Sequence, residues 1–191
     1  MKTFLKTAAL ALTMAISAPS LAASESYKID PTHSFVQFKA SHMGFSWLMG
    51  RFNHIEGTLD YDDANIGNSS IKVSINTDSL DSNHAKRDKH LKSDDYINAG
   101  KYPKASFKSQ SVTQQGKNII IRGTLNFRGM DKTLTITAQE IGAGKDPWGG
   151  YRRGYEGLAS IDITEFGMRG KKGSAGAQVE LRLFIEAIKN K

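Results

Sequence analysis

The sequence predicts an all-β protein, an antiparallel sheet of about eight strands that is either folded into a sandwich or closed into a barrel. Three observations carry this. From Tyr27 onward, apolar and polar residues alternate with a period of two. β-Branched and aromatic residues are common at the alternating positions. The connections Gln115-Gly116-Lys117 and Arg128-Gly129-Met130 are short enough for hairpins, which only antiparallel neighbours can use.

The first clear strand is 35–42, where Val36, Phe38, Ala40 and His42 share one face and Gln37, Lys39 and Ser41 the other. A second runs over 52–61, with Ile55, Gly57, Leu59 and Tyr61 opposite His54, Glu56, Thr58 and Asp60. Ile71, Val73 and Ile75 alternate with Lys72, Ser74 and Asn76 in a third. The pattern continues through 105–113, then Ile119, Ile121, Leu125 and Phe127, then Leu134, Ile136 and Ala138. It closes with Gly157, Ala159, Ile161 and Ile163, and finally Val179, Leu181, Leu183 and Ile185. Gly57, Gly123 and Gly157 stand inside strands and suit the bends or bulges that curve a sheet. A barrel of about eight strands is just wide enough to be filled by side chains or to hold one small ligand, but pattern alone leaves barrel and sandwich both open.

Residues 81–100 break the alternation. Ser82 can cap a helix through Leu91, with His84, Arg87, Asp88 and Leu91 on one face. A second short helix is expected from Ser93, with Asp94 and Asp95 in its first turn and Gly100 as its stop. Tyr102-Pro103 then returns the chain to extended backbone.

Before this pattern starts, Lys2 and Lys6, the apolar stretch from Thr7 to Ile16, and Ser20-Leu21-Ala22 form the three parts of a secretory signal, with cleavage expected after Ala22. Residues 1–22 are then a signal peptide and 23–191 a single domain, for which the length, the four prolines and the lack of a repeat all speak. Losing Lys2 and Lys6 lowers the formal net charge of +7 by two, to +5. In an exported protein this basic balance makes nucleic acid an implausible partner. It fits a solvated surface or attraction to anionic lipid head groups. With no cysteine in the chain, stability must come from the core and not from disulfides. No later stretch has the roughly 20 consecutive apolar residues of a membrane helix.

Specific chemistry is harder to find. All five histidines lie between His33 and His90. On a helix, however, His84 and His90 point about 120° apart at roughly 100° per residue, and no HExxH or paired-cysteine pattern is present, so no metal site and no metal cofactor is expected. The Asp62-Asp63 loop lacks the later glutamate of an EF-hand. No Gly-x-Ser-x-Gly elbow and no cysteine nucleophile exists, so no catalytic residue is assigned. The loop 167–174 carries Lys172 where a phosphate-binding loop needs its second glycine, and it precedes a strand. More informative is the apolar cluster Met43-Gly44-Phe45-Ser46-Trp47-Leu48-Met49, read as a loop that plugs a barrel end or lines the mouth of a ligand cavity. Asp146-Pro147-Trp148-Gly149-Gly150 places the second tryptophan in another loop.

These residues also resemble a known family. Tyr27-Lys28-Ile29-Asp30, His33-Ser34-Phe35-Val36, His42-Met43-Gly44-Phe45-Ser46-Trp47, Gly50-Arg51-Phe52, Asn83-His84, Arg87-Asp88-Lys89-His90-Leu91, Tyr102-Pro103-Lys104-Ala105-Ser106-Phe107, Gly123-Thr124-Leu125 and Asp146-Pro147-Trp148-Gly149 together resemble the YceI-like proteins, exported bacterial proteins of lipocalin-like fold associated with polyisoprenoid binding. The lipocalin Gly-x-Trp signature is not evident, so the likeness to lipocalins is architectural. The resemblance implies a single antiparallel lipocalin-like β-barrel of about eight strands with a short helical excursion. It implies a periplasmic binding or carrier protein, not an enzyme, whose partner is an isoprenoid lipid of polyprenyl phosphate or quinone type. Inward alternation then nominates Val36, Phe38, Phe52, Phe107, Leu125, Phe127 and Leu183 as tail contacts. His42 and Phe45 are expected as further ligand contacts, Trp47 and Trp148 near an opening, and Arg87 at the head group. Transient contact with a membrane surface and a homodimer stay open, as do two rival functions: an enzyme acting on a lipid-linked substrate, with His42 in a polar pair, and a stress-protective envelope protein that holds no ligand.

Overall fold

The computed structural model of the protein describes residues 24–191, so the expected signal segment lies outside the described residues. Eleven strands appear in the order β1 (Glu25–Ile29), β2 (Phe35–His42), β3 (Ser46–Phe52), β4 (Ile55–Tyr61), β5 (Ser70–Asn76), β6 (Leu80–Asp81), β7 (Lys104–Gln115), β8 (Asn118–Phe127), β9 (Met130–Lys145), β10 (Tyr151–Asp162) and β11 (Gln178–Lys189). One helix, α1 (Ala85–Leu91), stands between β6 and β7. Every pairing is antiparallel.

Eight of these strands close a ring, β1-β4-β5-β7-β8-β9-β10-β11 and back to β1, which decides for the barrel over the sandwich. β11 makes closure possible because it changes partner along its length. Val179–Phe184 pair with β2, whereas Ala187–Lys189 pair with β1. Between β1 and β2 the chain turns at Asp30, whose carboxylate accepts from the Thr32 backbone N–H (2.9 Å) and hydroxyl (2.6 Å). At the hand-over, the Ser34 hydroxyl accepts from the Glu186 backbone N–H at 2.9 Å, in place of a ladder carbonyl. β2 carries β3 and then β6 beyond the ring, so the wall is prolonged at one end.

Tight curvature demands glycine at two of the positions marked in the sequence. A Cβ on Gly57 would lie 2.1 Å from the Lys72 carbonyl oxygen. One on Gly123 would lie 2.3 Å from that of Lys108, opposite the bulge that falls between Ser109 and Ser111. Arg128 and Gly129 both take positive φ, the backbone of the two-residue turn that matches strand twist. The inward faces are those the alternation picks out: Ile29, Val36, Ile55, Val73, Leu125, Ile136 and Ile185 belong to one buried cluster.

Four expectations need correction. The run 52–61 is not one strand. It breaks at Asn53 and His54, whose N–H groups donate to the Ser79 carbonyl and hydroxyl. Ser46–Met49 is not loop but part of β3, paired residue for residue with β2, and only Met43-Gly44-Phe45 forms the turn. The cap of α1 is His84, not Ser82: its Nδ1 accepts from the Arg87 N–H at 3.3 Å. Residues 93–100 make successive turns and not a second helix. There the Ser93 carbonyl accepts from both Tyr96 and Asn98, one bond tighter and one wider than the four-residue spacing of an α-helix, so no helix propagates.

Candidate functional site

The inward side chains leave two neighbouring spaces that share Leu181 in their walls. One is a narrow slot of about 110 Å³ inside the ring, walled by carbon from Val73, Phe107, Ile121, Leu134, Ile136 and Leu183 among others. Most of these are β-branched residues or leucines, which strands accept and which offer no hydrogen bond to water. The other is a chamber of about 500 Å³ where β2, β3 and β6 prolong the wall, bounded by Phe38, Ala40, Leu48, Phe52 and Phe127.

The helical excursion covers the chamber, with Leu91, Tyr96 and Ile97 facing it. Two arginines hold this cover down. Arg128 donates to the carbonyls of Asp94 (2.5 Å), Phe166 and Gly167, and the Arg169 N–H donates to the Asp95 carbonyl at 2.8 Å. The gap that remains is framed by His42, Met43 and Gly44 from the β2–β3 turn and by Ser174, Ala175 and Gly176 from the loop before β11.

At the opposite end the barrel is closed by a polar plug. Arg153 points inward from β10, donates to the Tyr27 hydroxyl (3.1 Å) and to Glu140 (2.8 Å), and lies 3.8 Å from the centre of the Tyr61 ring. Burial, and then the bond to Glu25, push the Tyr27 phenol up to about 12. Burial also raises the phenol of Tyr155, which borders both the plug and the slot. A charge at this inward position was legible had the β10 alternation been followed back from Gly157 through Tyr155 to Arg153.

Of the twelve residues nominated from sequence, eight line the two spaces. Val36, Phe107, Leu125 and Leu183 wall the slot, and Phe38, His42, Phe52 and Phe127 wall the chamber. The other four lie elsewhere. Phe45 is 88% exposed at the tip of the β2–β3 turn, and Trp47 is 59% exposed on the outer face of β3, where the Lys39 ammonium sits 3.9 Å from its ring centre. Trp148, 80% exposed, belongs to the turn at the plug end and not to the mouth. Arg87 faces Ser82, giving its Nε–H to the hydroxyl (2.7 Å) and its Nη2 to the carbonyl, while Asp88 accepts from the Ser82 N–H at 2.9 Å. It fastens α1 to β6 and reaches neither space. Among the residues missed from sequence are the cover side chains Tyr96 and Ile97, in a segment whose turns have no periodicity to betray a buried face.

Among the described residues, the acid and histidine groups close enough to share an ion are Asp30, His33 and Glu186. A cation is already present there, because Arg152 donates to Asp30 at 2.8 Å, to Glu186 and to Asp146. Burial opposes the Asp30 carboxylate, but hydrogen bonds from Thr32, His33 and Arg152 outweigh it and hold its pKa well below the usual range. The cluster is an ion-pair network beneath the β1–β2 turn.

Comparison with known proteins agrees with this architecture. The profile of the YceI-like domain matches residues 27–187. A UPF0312 protein of Pseudomonas paraeruginosa is 45% identical over 184 residues, covering 95% of this chain and 96% of the relative. Among solved structures, Burkholderia cenocepacia BcnA superposes with a TM-score of 0.74 at 19% identity, over 83% of this chain and 98% of that one. A polyisoprenoid binding domain from Saccharophagus degradans, implicated in plant cell wall breakdown, superposes with a TM-score of 0.59 at 15% identity, over 87% and 99% of the two chains.

Proposed function

The chain belongs to the YceI-like family, and from that premise and the shape of its interior we propose that it binds the long apolar tail of an isoprenoid lipid as an exported, periplasmic carrier. The observation that carries this reading is the pair of neighbouring spaces, a carbon-walled slot and a wider chamber with Leu181 in the wall of both. A long flexible hydrocarbon fits such a path better than a compact solute does. The likeness to the polyisoprenoid binding domain from Saccharophagus degradans supports the same ligand class. The two spaces, about 110 and 500 Å³, have room for roughly 20 carbons of such a tail, which at roughly 0.3 kcal/mol per atom contribute up to about 6 kcal/mol, or micromolar binding. Tighter binding would draw on the head group, which would rest in the chamber or at its mouth near His42. Val36, Phe107, Leu125 and Leu183 are the proposed tail contacts in the slot, and Phe38, Phe52 and Phe127 those in the chamber.

The test is to purify the protein from its native host, extract bound lipid, identify it by mass spectrometry, and repeat with Ala40→Trp. Ala40 faces the chamber from β2, so an indole there should take up part of it and obstruct the tail. The expected outcome is a bound isoprenoid in the unsubstituted protein, at least about tenfold less in the variant, and an unfolding temperature no lower. An empty interior, together with no rise in unfolding temperature on adding polyprenyl phosphate or quinone, would sink the carrier reading.

A further inference from the structure

Around the open side of the chamber, apolar and basic residues stand together. The β2–β3 turn projects Met43 and Phe45, and β3 adds Trp47 and Met49 behind them, all four exposed. Met43 and Gly44 also frame the gap, so the apolar tip is continuous with the chamber wall. Across the gap, the loop leading to Ser174–Gly176 carries Arg169, Lys171 and Lys172, while Lys86 and Lys89 occupy the solvent face of α1. Several acids nearby are answered, Asp95 by Arg169, Glu180 by Lys39, and Asp162 by backbone and side-chain donors, while Asp81, Asp94 and Glu165 stand against the five bases Lys86, Lys89, Arg169, Lys171 and Lys172. At the plug end, by contrast, three carboxylates, Asp30, Asp146 and Glu186, share the one guanidinium of Arg152.

Exposed rings and methionines ringed by lysines have the composition of a surface that inserts shallowly among anionic lipid head groups. We infer that the mouth of the chamber docks on an anionic phospholipid bilayer, with Met43, Phe45 and Trp47 entering the interface and Lys171 and Lys172 resting on the head groups. The inference rests on the carrier reading. It gives the tail a route from bilayer to chamber that never crosses bulk water, since the surface that enters the membrane is also the rim of the gap.

The two tryptophans stand at opposite ends of the barrel and serve as reporters. Trp148→Phe leaves Trp47 as the only indole, and Trp47→Phe leaves Trp148. Vesicles of phosphatidylcholine with about one part in three phosphatidylglycerol should shift Trp47 emission to the blue, leave Trp148 emission unmoved, and sediment the protein. Pure phosphatidylcholine should do so weakly, and salt well above physiological strength should release the protein. Met43→Ser with Phe45→Ser is expected to weaken sedimentation about tenfold. Lys171→Glu with Lys172→Glu should weaken it at least about tenfold and leave isoprenoid binding in vesicle-free solution unchanged.

Absent sedimentation, a blue shift at Trp148, or a Trp47 shift that follows protein concentration without vesicles, the mark of self-association through this tip, would each overturn the docking inference. Isoprenoid binding without vesicle binding removes this inference alone. Vesicle binding without isoprenoid binding removes the carrier reading and leaves a membrane-docking barrel.

Discussion

Asp30 shows how much one side chain can hold in place: it ends β1, caps the turn to β2 and anchors the Arg152 network. An acid with a depressed pKa stabilises the fold above the ordinary carboxylate range near pH 4 and loses that contribution as the pH falls toward its own lower value. Asp30→Asn should therefore cost about 2 kcal/mol at pH 7, read from urea unfolding, and the difference should shrink progressively below about pH 4. A gap of constant size across that range would count against the network. Tyr27 and Tyr155 work in the other direction. Their phenols are raised, so their contribution is intact below about pH 10 and is lost as the pH climbs through the folded values. Alkaline titration of phenolate absorbance should show a late step that coincides with unfolding and shrinks in Tyr27→Phe. At this scale the sequence was legible where alternation ruled, as at Val36 or Leu183. It was opaque at Arg87, because a helical face tells which side a residue takes and not whether its charge meets a ligand or the neighbouring strand.

At the level of elements, pattern located the ring strands and misjudged what lies beside the mouth. β3 escaped because Trp47 and Met49 place large apolar groups on its outer face, which destroys the alternation that marks a half-buried strand. An unusual apolar outer face is itself the signal of a surface with work to do. The glycines were legible, since a glycine inside a strand signals close approach. Gly123→Ala drives a methyl into the Lys108 carbonyl, and a loss of about 3 kcal/mol in thermal or chemical unfolding is expected. The cover of the chamber behaves differently. Arg128→Ala should accelerate amide hydrogen exchange through residues 93–102, which hang on its guanidinium, and leave β7 and β8 protected. Uniform acceleration across the sheet would show that the arginine supports the whole barrel instead.

For the whole molecule, closure is the decisive event, and alternation could not reveal it. Whether eight strands form a sandwich or a ring depends on which residues meet across the full chain, and here Tyr27 pairs with Lys189. Such distant pairing predicts folding in milliseconds to seconds, slower than for helical proteins of this size. Removing residues 187–191 should abolish the pairing of β1 with β11 and expose two strand edges, so that unfolding loses its single sharp transition and the protein aggregates. The same closure lays the two ends of the described chain side by side at the plug. The Asn190 N–H donates to the Ser26 carbonyl at 2.8 Å, and Lys189 pairs with Glu25. A tether attached beyond Lys191 therefore leaves from the face opposite the chamber. Anchored to a sensor chip by that tail, every molecule would present its opening to the solution, and a short peptide joining residues 25 and 190 would give a circular permutant whose new ends could be cut into any exposed turn.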